Sequence, residues 1–433
     1  MTSIKIKKND LFFFSFITLF VLLLAIAKAD LIGSLCLIFL ALITFMFSRY
    51  YKSLTTIMYV ALSARLIVIY FGNFLVILPD SWGDATQYEL YAWKLSQDGF
   101  LAVFNQFPFD RSSYFISWIL AFFYSLTDRS IILGQSLSLF FGMGSVLLGT
   151  LIASKIWSKK TSIKVGWILA LYPTLILYSS LILREAYVWF FLLVAIYGII
   201  CWSKYGGFKT IIIIFIGFSG ATFFHGGMFI GGFIFLSIIM ITSLSETLKK
   251  LNNFKISINS FLILALSLIA INFVISTSYS IPKIGSLKII FDSEIALREI
   301  SQRNINRAAF PEWTIPKNTL ELIYKAPIRV IYFILSPFPW DVEKTAHLFG
   351  LFDGMFHIML LILFIKNFKS IWSDRTLRII LIILASYLIV YGLASGNFGT
   401  GLRHRTKFLI VSILMVAPWI PNIVLKKQKN FFK

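Results

Sequence analysis

Long runs of apolar residues, separated by short polar or charged segments, recur along the whole chain. A helix needs about 20 apolar residues to cross a bilayer, whereas the strands of a membrane barrel would alternate polar and apolar residues. The pattern therefore predicts a single integral membrane domain over residues 1–433, all-α and polytopic. We expect about twelve transmembrane helices, at residues 11–28, 31–48, 54–78, 131–154, 164–183, 186–202, 210–224, 227–245, 257–276, 345–366, 376–394 and 406–424.

Two further apolar runs, at 114–126 and 328–340, are too short to cross a bilayer comfortably. They lie in the two longest segments between the predicted spans, 79–130 and 277–344. We predict that both runs are helices that dip into one face of the membrane. The two long segments then form loops on the same side of the membrane.

The net charge of +21 would by itself suggest a nucleic-acid partner. Its distribution indicates a membrane topology instead, because cytoplasmic segments of membrane proteins are enriched in Lys and Arg. With a cytoplasmic N-terminus, the cytoplasmic segments hold 22 of the 40 Lys and Arg but only 3 of the 19 Asp and Glu. They are the segments around Lys5–Lys8, Arg49–Lys52, Lys155–Lys164, Lys204–Lys209, Lys249–Lys255, Lys366–Arg378 and Lys426–Lys433. We therefore expect cytoplasmic termini, outer long loops and no nucleic-acid partner.

The first long loop is acidic just beyond the third span, where it reads PDSWGDATQYELYAWKLSQDGF at 79–100. Its acids and aromatic residues are Asp80, Asp84, Glu89, Asp98, Tyr88, Tyr91 and Trp93. The aromatic residues have spacings that suit an interfacial helix, where aromatic belts lie. The segment is either an ordinary acidic outer loop or part of a site.

Charged residues also occur between and within the spans. Arg184 and Glu185, in LILREAYVW, separate two nearly contiguous spans and either mark the water interface or belong to a site. Arg65 lies inside the third span, where an arginine costs several kcal/mol unless it is paired or wetted. It is either functional or paired structurally with Asp353.

The second long loop is basic. Arg298, Arg303 and Arg307 lie in REISQRNINR, and Arg329 lies beside a segment rich in Pro and aromatic residues. These residues suit either a groove for a phosphorylated lipid or a solvated amphipathic helix.

The last predicted span opens with GTGLRHRTKF at 399–408, which carries Arg403, His404, Arg405 and Lys407. The topology places this cluster outside, against the general charge bias. It either binds anionic lipid headgroups or clamps a lipid diphosphate. Guanidinium groups bind phosphate oxygens two at a time, and the free N–H groups of a helix N-terminus add donors.

Residues that would indicate other chemistry are sparse. Cys36 and Cys201 fall inside apolar runs, so neither a disulfide nor a thiolate metal site is implied. His225 is predicted to be a loop residue, and His347 and His357 lack zinc-site spacing. The chain has no phosphate-binding loop and no GxSxG motif, which disfavours an ATP-driven pump and a serine hydrolase.

Residues 54–202 resemble the GT-C superfamily of membrane glycosyltransferases, which use polyprenyl-linked sugars. The resemblance rests on an aspartate after an early span, the aromatic helix that follows, and the segments SYFISWILAFFYSL, IILGQSLSLFFGMGSVLLGTLIASKIWSKK, VGWILALYPTLILYSSLIL and Arg184-Glu185. Where many members have a His-Pro-Pro-like step, this chain has Asp110-Arg111-Ser112-Ser113. The resemblance implies a GT-C-like fold and inversion at the anomeric carbon.

Residues 328–420 are similar to membrane proteins of bacterial surface-polysaccharide clusters, often labelled Wzy-type O-antigen or capsule polymerases. The similarity is carried by IRVIYFILSPFPWDV, HLFGLFDGMFHIMLLILFIKN and LASGNFGTGLRHRTKF. It implies an inner-membrane enzyme with its site on the periplasmic face, acting on undecaprenyl-diphosphate-linked glycans among membrane lipids. A chain-length regulator is a further partner that such an enzyme would have.

The two resemblances together assign roles to particular residues. Asp84 would orient or deprotonate the acceptor hydroxyl, assisted by Glu185, because the hydroxyl becomes a nucleophile only as its proton leaves. The basic residues Arg184, Arg329, Arg403, His404, Arg405 and Lys407 would bind the lipid diphosphate. No cofactor is required by the motifs, although the clustered acids allow a divalent metal.

Two other functions remain open. One is a transferase of the same fold that moves a single sugar from a polyprenyl monophosphate. The other is a flippase or transporter for lipid-linked oligosaccharides, which would line a central cavity with charges along several spans. Here the charges gather at one face.

Overall fold

The computed structural model describes residues 8–28, 30–108, 114–251, 293–302, 308–343 and 345–421. These residues form helices and no strand, and the one isolated β-bridge among them joins Ala309 to Asn397. The α-helices, in chain order, are α1 (Lys8–Lys28), α2 (Leu31–Tyr50), α3 (Thr55–Phe74), α4 (Asp84–Ser96), α5 (Phe100–Asn105), α6 (Phe115–Leu126), α7 (Ile131–Ile156), α8 (Lys159–Leu171), α9 (Pro173–Ser179), α10 (Glu185–Tyr205), α11 (Phe208–Phe224), α12 (Phe229–Leu251), α13 (Ser293–Gln302), α14 (Thr319–Leu335), α15 (Thr345–Lys366), α16 (Phe368–Ser373), α17 (Arg375–Ala394) and α18 (Phe398–Val416).

Seven helices in the described part of the chain are long and apolar enough to cross a membrane, and the bent pair α8–α9 would make an eighth. The seven are Leu31–Tyr50, Lys52–Phe74, Ile131–Ile156, Glu185–Tyr205, Gly226–Lys249, His347–Lys366 and Arg375–Ala394. With the bent pair they coincide with eight of the twelve predicted spans. The all-α, multi-pass class is thereby supported.

Three of the other four predicted spans do not meet this length and composition. The apolar stretches Phe12–Val21, within α1, and Phe208–Phe224 are shorter. The helix at the last predicted span, α18, starts eight residues before 406 and contains the basic cluster. The span predicted at 257–276 lies outside the described residues.

The bend between α8 and α9 explains how Arg65 is accommodated within α3. Pro173 has no backbone N–H, so the chain bends by 57° and nearby carbonyls lose helical donors. Arg65 donates to the carbonyls of Leu169 at 3.2 Å and Ala170 at 3.1 Å, and to the Ser179 hydroxyl at 2.9 Å. The pairing with Asp353 considered from the sequence is wrong, but the structural role of Arg65 is supported.

The helices of the two long loops are short, as their lengths predict. The 12 residues of α6 pack along α4, and the Trp118 indole donates to the Val103 carbonyl at 2.7 Å. In the second loop, α14 contains Pro327 and spans 17 residues, so it begins well before the predicted run at 328.

The helix ends meet at two opposite ends of the bundle. At one end the Ser130 hydroxyl donates to Asp30, at 2.7 Å from Oδ2. At the other end Arg49 contacts Asp10 at 3.1 Å, and Lys204 donates to the Lys155 carbonyl at 3.3 Å. Within the described residues, Arg49, Lys155 and Lys204 of the segments predicted to be cytoplasmic therefore lie at one end, and the first predicted outer loop joins the bundle at the other.

The start of α18 places the basic cluster on a helix. Asn397 is the N-cap, and its side chain accepts a hydrogen bond from the Thr400 N–H at 2.7 Å, which is the usual way to satisfy the first free donors. The bridge to Ala309 fixes the chain just before the helix. Arg403, His404, Arg405 and Lys407 thus lie within the first turns of α18, and their side chains contact different parts of the protein.

Candidate functional site

One guanidinium group joins the two acids singled out from the sequence. Arg403 on α18 donates from Nη1 to Asp84 Oδ2 at 2.8 Å and from Nε to Glu185 Oε1 at 3.0 Å. Asp84 is the first residue of α4, and Glu185 is the first residue of α10. Three distant chain segments therefore meet at one point, and acids at helix N-termini are also favoured by the helix dipole.

This three-residue contact runs from the interior to the surface. The side chain of Glu185 is fully buried, that of Arg403 is 14% exposed and that of Asp84 is 42% exposed. Arg403 Nη2 makes no hydrogen bond with the described residues. The most accessible group of the three is therefore the Asp84 carboxylate, followed by the Arg403 side chain.

Lys407 and His404 extend the contact along α18. The buried Lys407 amine lies 3.5 Å from Glu185 Oε1 and 2.6 Å from His404 Nδ1. A protonated lysine can only donate, so His404 accepts at Nδ1. Lys407 and Arg403 thus both contact Glu185 Oε1, and Lys407 also fixes the orientation of the His404 ring.

Arg184 is buried beside this group with few partners. Its Nη1 donates to the Phe224 carbonyl at 3.3 Å, and its guanidinium lies 5.2 Å from the centre of the Tyr88 ring. Its Nε, and Oε2 of the neighbouring Glu185, have no hydrogen-bond partner among the described residues. Unsatisfied buried polar atoms are uncommon in folded proteins, and each calls for an explanation such as a functional role.

Asp80 is a third acid of the site, and it approaches from the loop before α4. The Tyr178 hydroxyl on α9 donates to its Oδ2 at 2.8 Å. Its backbone has φ of +59°, in the left-handed region that residues other than glycine rarely adopt. Asp80 is exposed as a residue, but desolvation of its carboxyl group raises its pKa, while the hydrogen bond from Tyr178 and the charge of Arg403 lower that pKa in part.

The charges of this group are balanced. Three acids, Asp80, Asp84 and Glu185, lie with three bases, Arg184, Arg403 and Lys407. We call these six residues the charge cluster. Buried charges are tolerated when they are paired, and in this cluster the opposite charges lie together at one end of the bundle.

Arg405 belongs to a different contact group. Its Nε donates to Asp353 Oδ2 at 2.8 Å, and its other nitrogens donate to the carbonyls of Ile334, Ser336 and Gly350. The side chain is 1% exposed. All three of its nitrogens are thus engaged away from the charge cluster, so the structure does not bring Arg405 to the position expected for a diphosphate clamp.

Arg329 also has a structural setting. It is fully buried, and its Nη2 donates to the carbonyls of Leu393 at 3.3 Å and Ser395 at 2.5 Å, at the C-terminus of α17. A cation is favoured there by the helix dipole. Carbonyls therefore hold the Arg329 side chain, and Arg303 and Arg307, which the sequence grouped with it, lie outside the described residues.

The histidines add no metal centre in the parts of the chain that the structure describes. His225 Nδ1 lies 2.7 Å from the Tyr391 hydroxyl, and its ring meets that of His404 edge-on at 5.2 Å. His357 is 3.3 Å from Asp353. No group of three or more His, Cys, Asp or Glu side chains there is arranged to hold a metal ion.

Comparison of the chain with protein-family models, with curated proteins and with solved structures returns no match.

Proposed function

We propose that the protein is a glycosyltransferase of the bacterial inner membrane. It joins undecaprenyl-diphosphate-linked oligosaccharide repeat units at the periplasmic face, as an O-antigen or capsule polymerase does. The observation that carries the proposal is the contact of Arg403 with both Asp84 and Glu185. The GT-C resemblance marks these two acids, which are far apart in the chain, and the similarity to polymerases marks the arginine.

The arrangement of the helix ends supports the proposed orientation. The charge cluster lies at the end of the bundle opposite Arg49, Lys155 and Lys204. Because basic segments favour the cytoplasm, the cluster is on the periplasmic side, among the headgroups of membrane lipids. In the proposed topology about twelve helices cross the membrane in a GT-C-like arrangement, with α6 and α14 at the outer face.

The proposed reaction is an inverting displacement. A hydroxyl oxygen of the acceptor sugar bonds to the anomeric carbon of the donor as its proton passes to a carboxylate of the first loop, predicted to be Asp84. The bond from the anomeric carbon to the lipid diphosphate breaks, and the electron pair leaves with the diphosphate oxygen. Arg403 and Arg184 stabilise this developing charge, while Glu185 and Lys407 position Arg403.

The contacts of two of the basic residues favour other roles than diphosphate binding. A phosphate contact by Arg405 would require it to give up the carboxylate and carbonyls that it already binds. Arg329 is held by carbonyls in the same way. We therefore propose that both are positioning residues, which fix α18 and α17.

A single-sugar transferase that uses a polyprenyl monophosphate would use the same groups, and only its substrates separate it from a polymerase. A flippase is less well supported. The buried charges of Arg65 and Arg405 are satisfied by carbonyls and by Asp353, so they do not line a polar path.

The experiment is deletion of the gene, followed by electrophoresis of the surface polysaccharide. A polymerase predicts loss of long chains with a single repeat unit retained. Complete loss of the polysaccharide would indicate a flippase or an earlier transferase. Purified protein in liposomes should also lengthen lipid-diphosphate glycans without ATP, and absence of that turnover would contradict the proposal.

A further inference from the structure

Two carboxylates of the first loop, four residues apart, have contrasting partners. Asp84 Oδ2 accepts a charged hydrogen bond from Arg403 at 2.8 Å. Asp80 Oδ2 accepts a neutral one from the Tyr178 hydroxyl, also at 2.8 Å. Asp80 forms no ion pair with any residue that the structure describes. The two acids are therefore suited to different tasks.

The backbone is bent to bring Asp80 to Tyr178. Both Asp80, with φ of +59°, and Gly83, with φ of +86°, are in the left-handed region. Glycine adopts this conformation freely, but it is less favourable for aspartate. Backbone conformations of this kind persist when the surroundings determine them, and they concentrate at functional sites.

The electrostatic surroundings of Asp80 make it the better proton acceptor. Although the residue is exposed, the protein around its carboxyl group desolvates it and raises its pKa, and the charges of Glu185 and Asp84 act in the same direction. The hydrogen bond from Tyr178 and the charge of Arg403 oppose this in part. A general base works best when its pKa is close to the working pH. Asp84, by contrast, is already held by the Arg403 guanidinium.

We propose that Asp80 is the general base of the reaction and that Asp84 is a positioning residue that holds Arg403. The inference rests on the proposed glycosyl transfer. The acceptor O–H bond breaks and its proton passes to the Asp80 carboxylate. The oxygen bonds to the anomeric carbon, and the diphosphate leaves with the electron pair of the broken bond beside Arg403. Pairs of titratable groups whose surroundings differ in this way are typical of acid–base sites.

The chain offers a matched pair of variants for the test. Tyr178→Phe removes the donor to Asp80, while Tyr88→Phe removes a hydroxyl that lies 3.4 Å from Asp84 Oδ2. Loss of the Tyr178 hydrogen bond destabilises the ionised carboxylate. The acid limb of kcat/KM against pH should therefore move to higher pH, by roughly half a unit to one unit. Tyr88→Phe should leave that limb where it is.

The reverse pattern, or an unmoved limb in Tyr178→Phe, would overturn the assignment of Asp80. A second readout is chemical rescue in Asp80→Gly, since glycine accepts the same φ. Its turnover should fall by about 10²- to 10⁴-fold, and added formate should restore part of it. Asp84→Gly should not respond, and a response of Asp84→Gly alone would assign the base to Asp84.

Failure of the inference and failure of the proposed function give different results. If wild-type protein does not lengthen a lipid-diphosphate glycan, the glycosyl transfer itself is refuted. If wild type is active and Asp80→Gly keeps full turnover without formate, only the role of Asp80 is refuted.

Discussion

Arg403 and Arg405 are two residues apart on α18, yet their guanidinium groups bind different acids. Arg403 Nη1 lies 2.8 Å from Asp84, whereas Arg405 Nε lies 2.8 Å from Asp353. Each residue of an α-helix turns by about 100°, so positions i and i+2 face nearly opposite sides. Two neighbouring arginines therefore serve separate parts of the protein.

The same substitution at these two arginines should have different effects. Arg403→Lys keeps the charge but cannot hold both carboxylates in a planar fork. We expect folded protein whose turnover on a lipid-diphosphate glycan is about 30- to 1000-fold lower, as for loss of about 2–4 kcal/mol of transition-state stabilisation.

Arg405→Lys should instead lower the amount and thermal stability of the protein, because several buried carbonyls lose their donors. The sequence alone predicts a stable, inactive Arg405→Lys protein. If the Arg405→Lys protein is fully stable but has lost its turnover, Arg405 binds the diphosphate after all.

A second prediction compares the two acids that bind Arg403. Glu185→Gln leaves Arg403 and Lys407 without their shared buried carboxylate, and breaking a buried ion pair from one side costs about 3–5 kcal/mol. Asp84→Asn breaks only the half-exposed ion pair with Arg403, so the loss in free energy of unfolding should be about 1 kcal/mol or less. Both variants should lose polymer extension, but only Glu185→Gln should unfold at clearly lower temperature in detergent. Equal melting curves would mean that Glu185 is not the buried anchor of the cluster.

Topology gives a third prediction. A reporter that is active only in the periplasm should be active when it is fused after Gln106 and silent when it is fused after Lys160. The first site follows α5 near the charge cluster, and the second lies in the basic segment at the opposite end of the bundle. Gly206 and Gly226 lie at the two ends of α11. A fusion after Gly206 should be silent, and a fusion after Gly226 should be active. Activity after Lys160 would reverse the proposed orientation of the site.

A fourth prediction couples Arg65 to Pro173. Arg65→Leu removes the donors to the Leu169 and Ala170 carbonyls, each of which costs about 1–3 kcal/mol when it is left unsatisfied in the interior. Pro173→Ala restores the backbone N–H that α8 lacks. The double variant should therefore lose less stability than the two single losses added together, and a double-mutant cycle of melting temperatures would show this. Strict additivity would mean that the carbonyls find other donors.

The length and apolar character of the runs were enough to predict seven helices that could cross a membrane, the bent pair α8–α9 and the short helix α6, because these properties are local. The sequence places the start of the last span at 406 because charged residues usually mark the end of an apolar run, whereas α18 begins at Phe398. Asn397 is a good N-cap residue, and it was the local signal that the helix begins there. Once the cluster is placed on a helix, the spacing of Arg403 and Arg405 indicates that they diverge.

The members of the charge cluster were harder to predict from sequence. Resemblance identified Asp84 and Glu185, but the bridge through Arg403 depends on how α4, α10 and α18 pack together. Tyr178 was missed because it looks like one more apolar residue of a span, and the left-handed backbone of Asp80 has no local sequence marker. These features come from long-range contacts rather than from local pattern.

The bonds between Arg65 and the bend at Pro173 also have a consequence for the order of synthesis. The ribosome makes Arg65 about a hundred residues before Leu169 and Ala170, the carbonyls that it will bind. Placing an arginine at the centre of an isolated helix costs about 2.5–3.5 kcal/mol in insertion experiments. The third helix is therefore expected to remain loosely inserted, or close to the translocon, until α8 and α9 emerge and offer their free carbonyls. Early assembly of this protein then becomes one cooperative event that extends from α3 to α9.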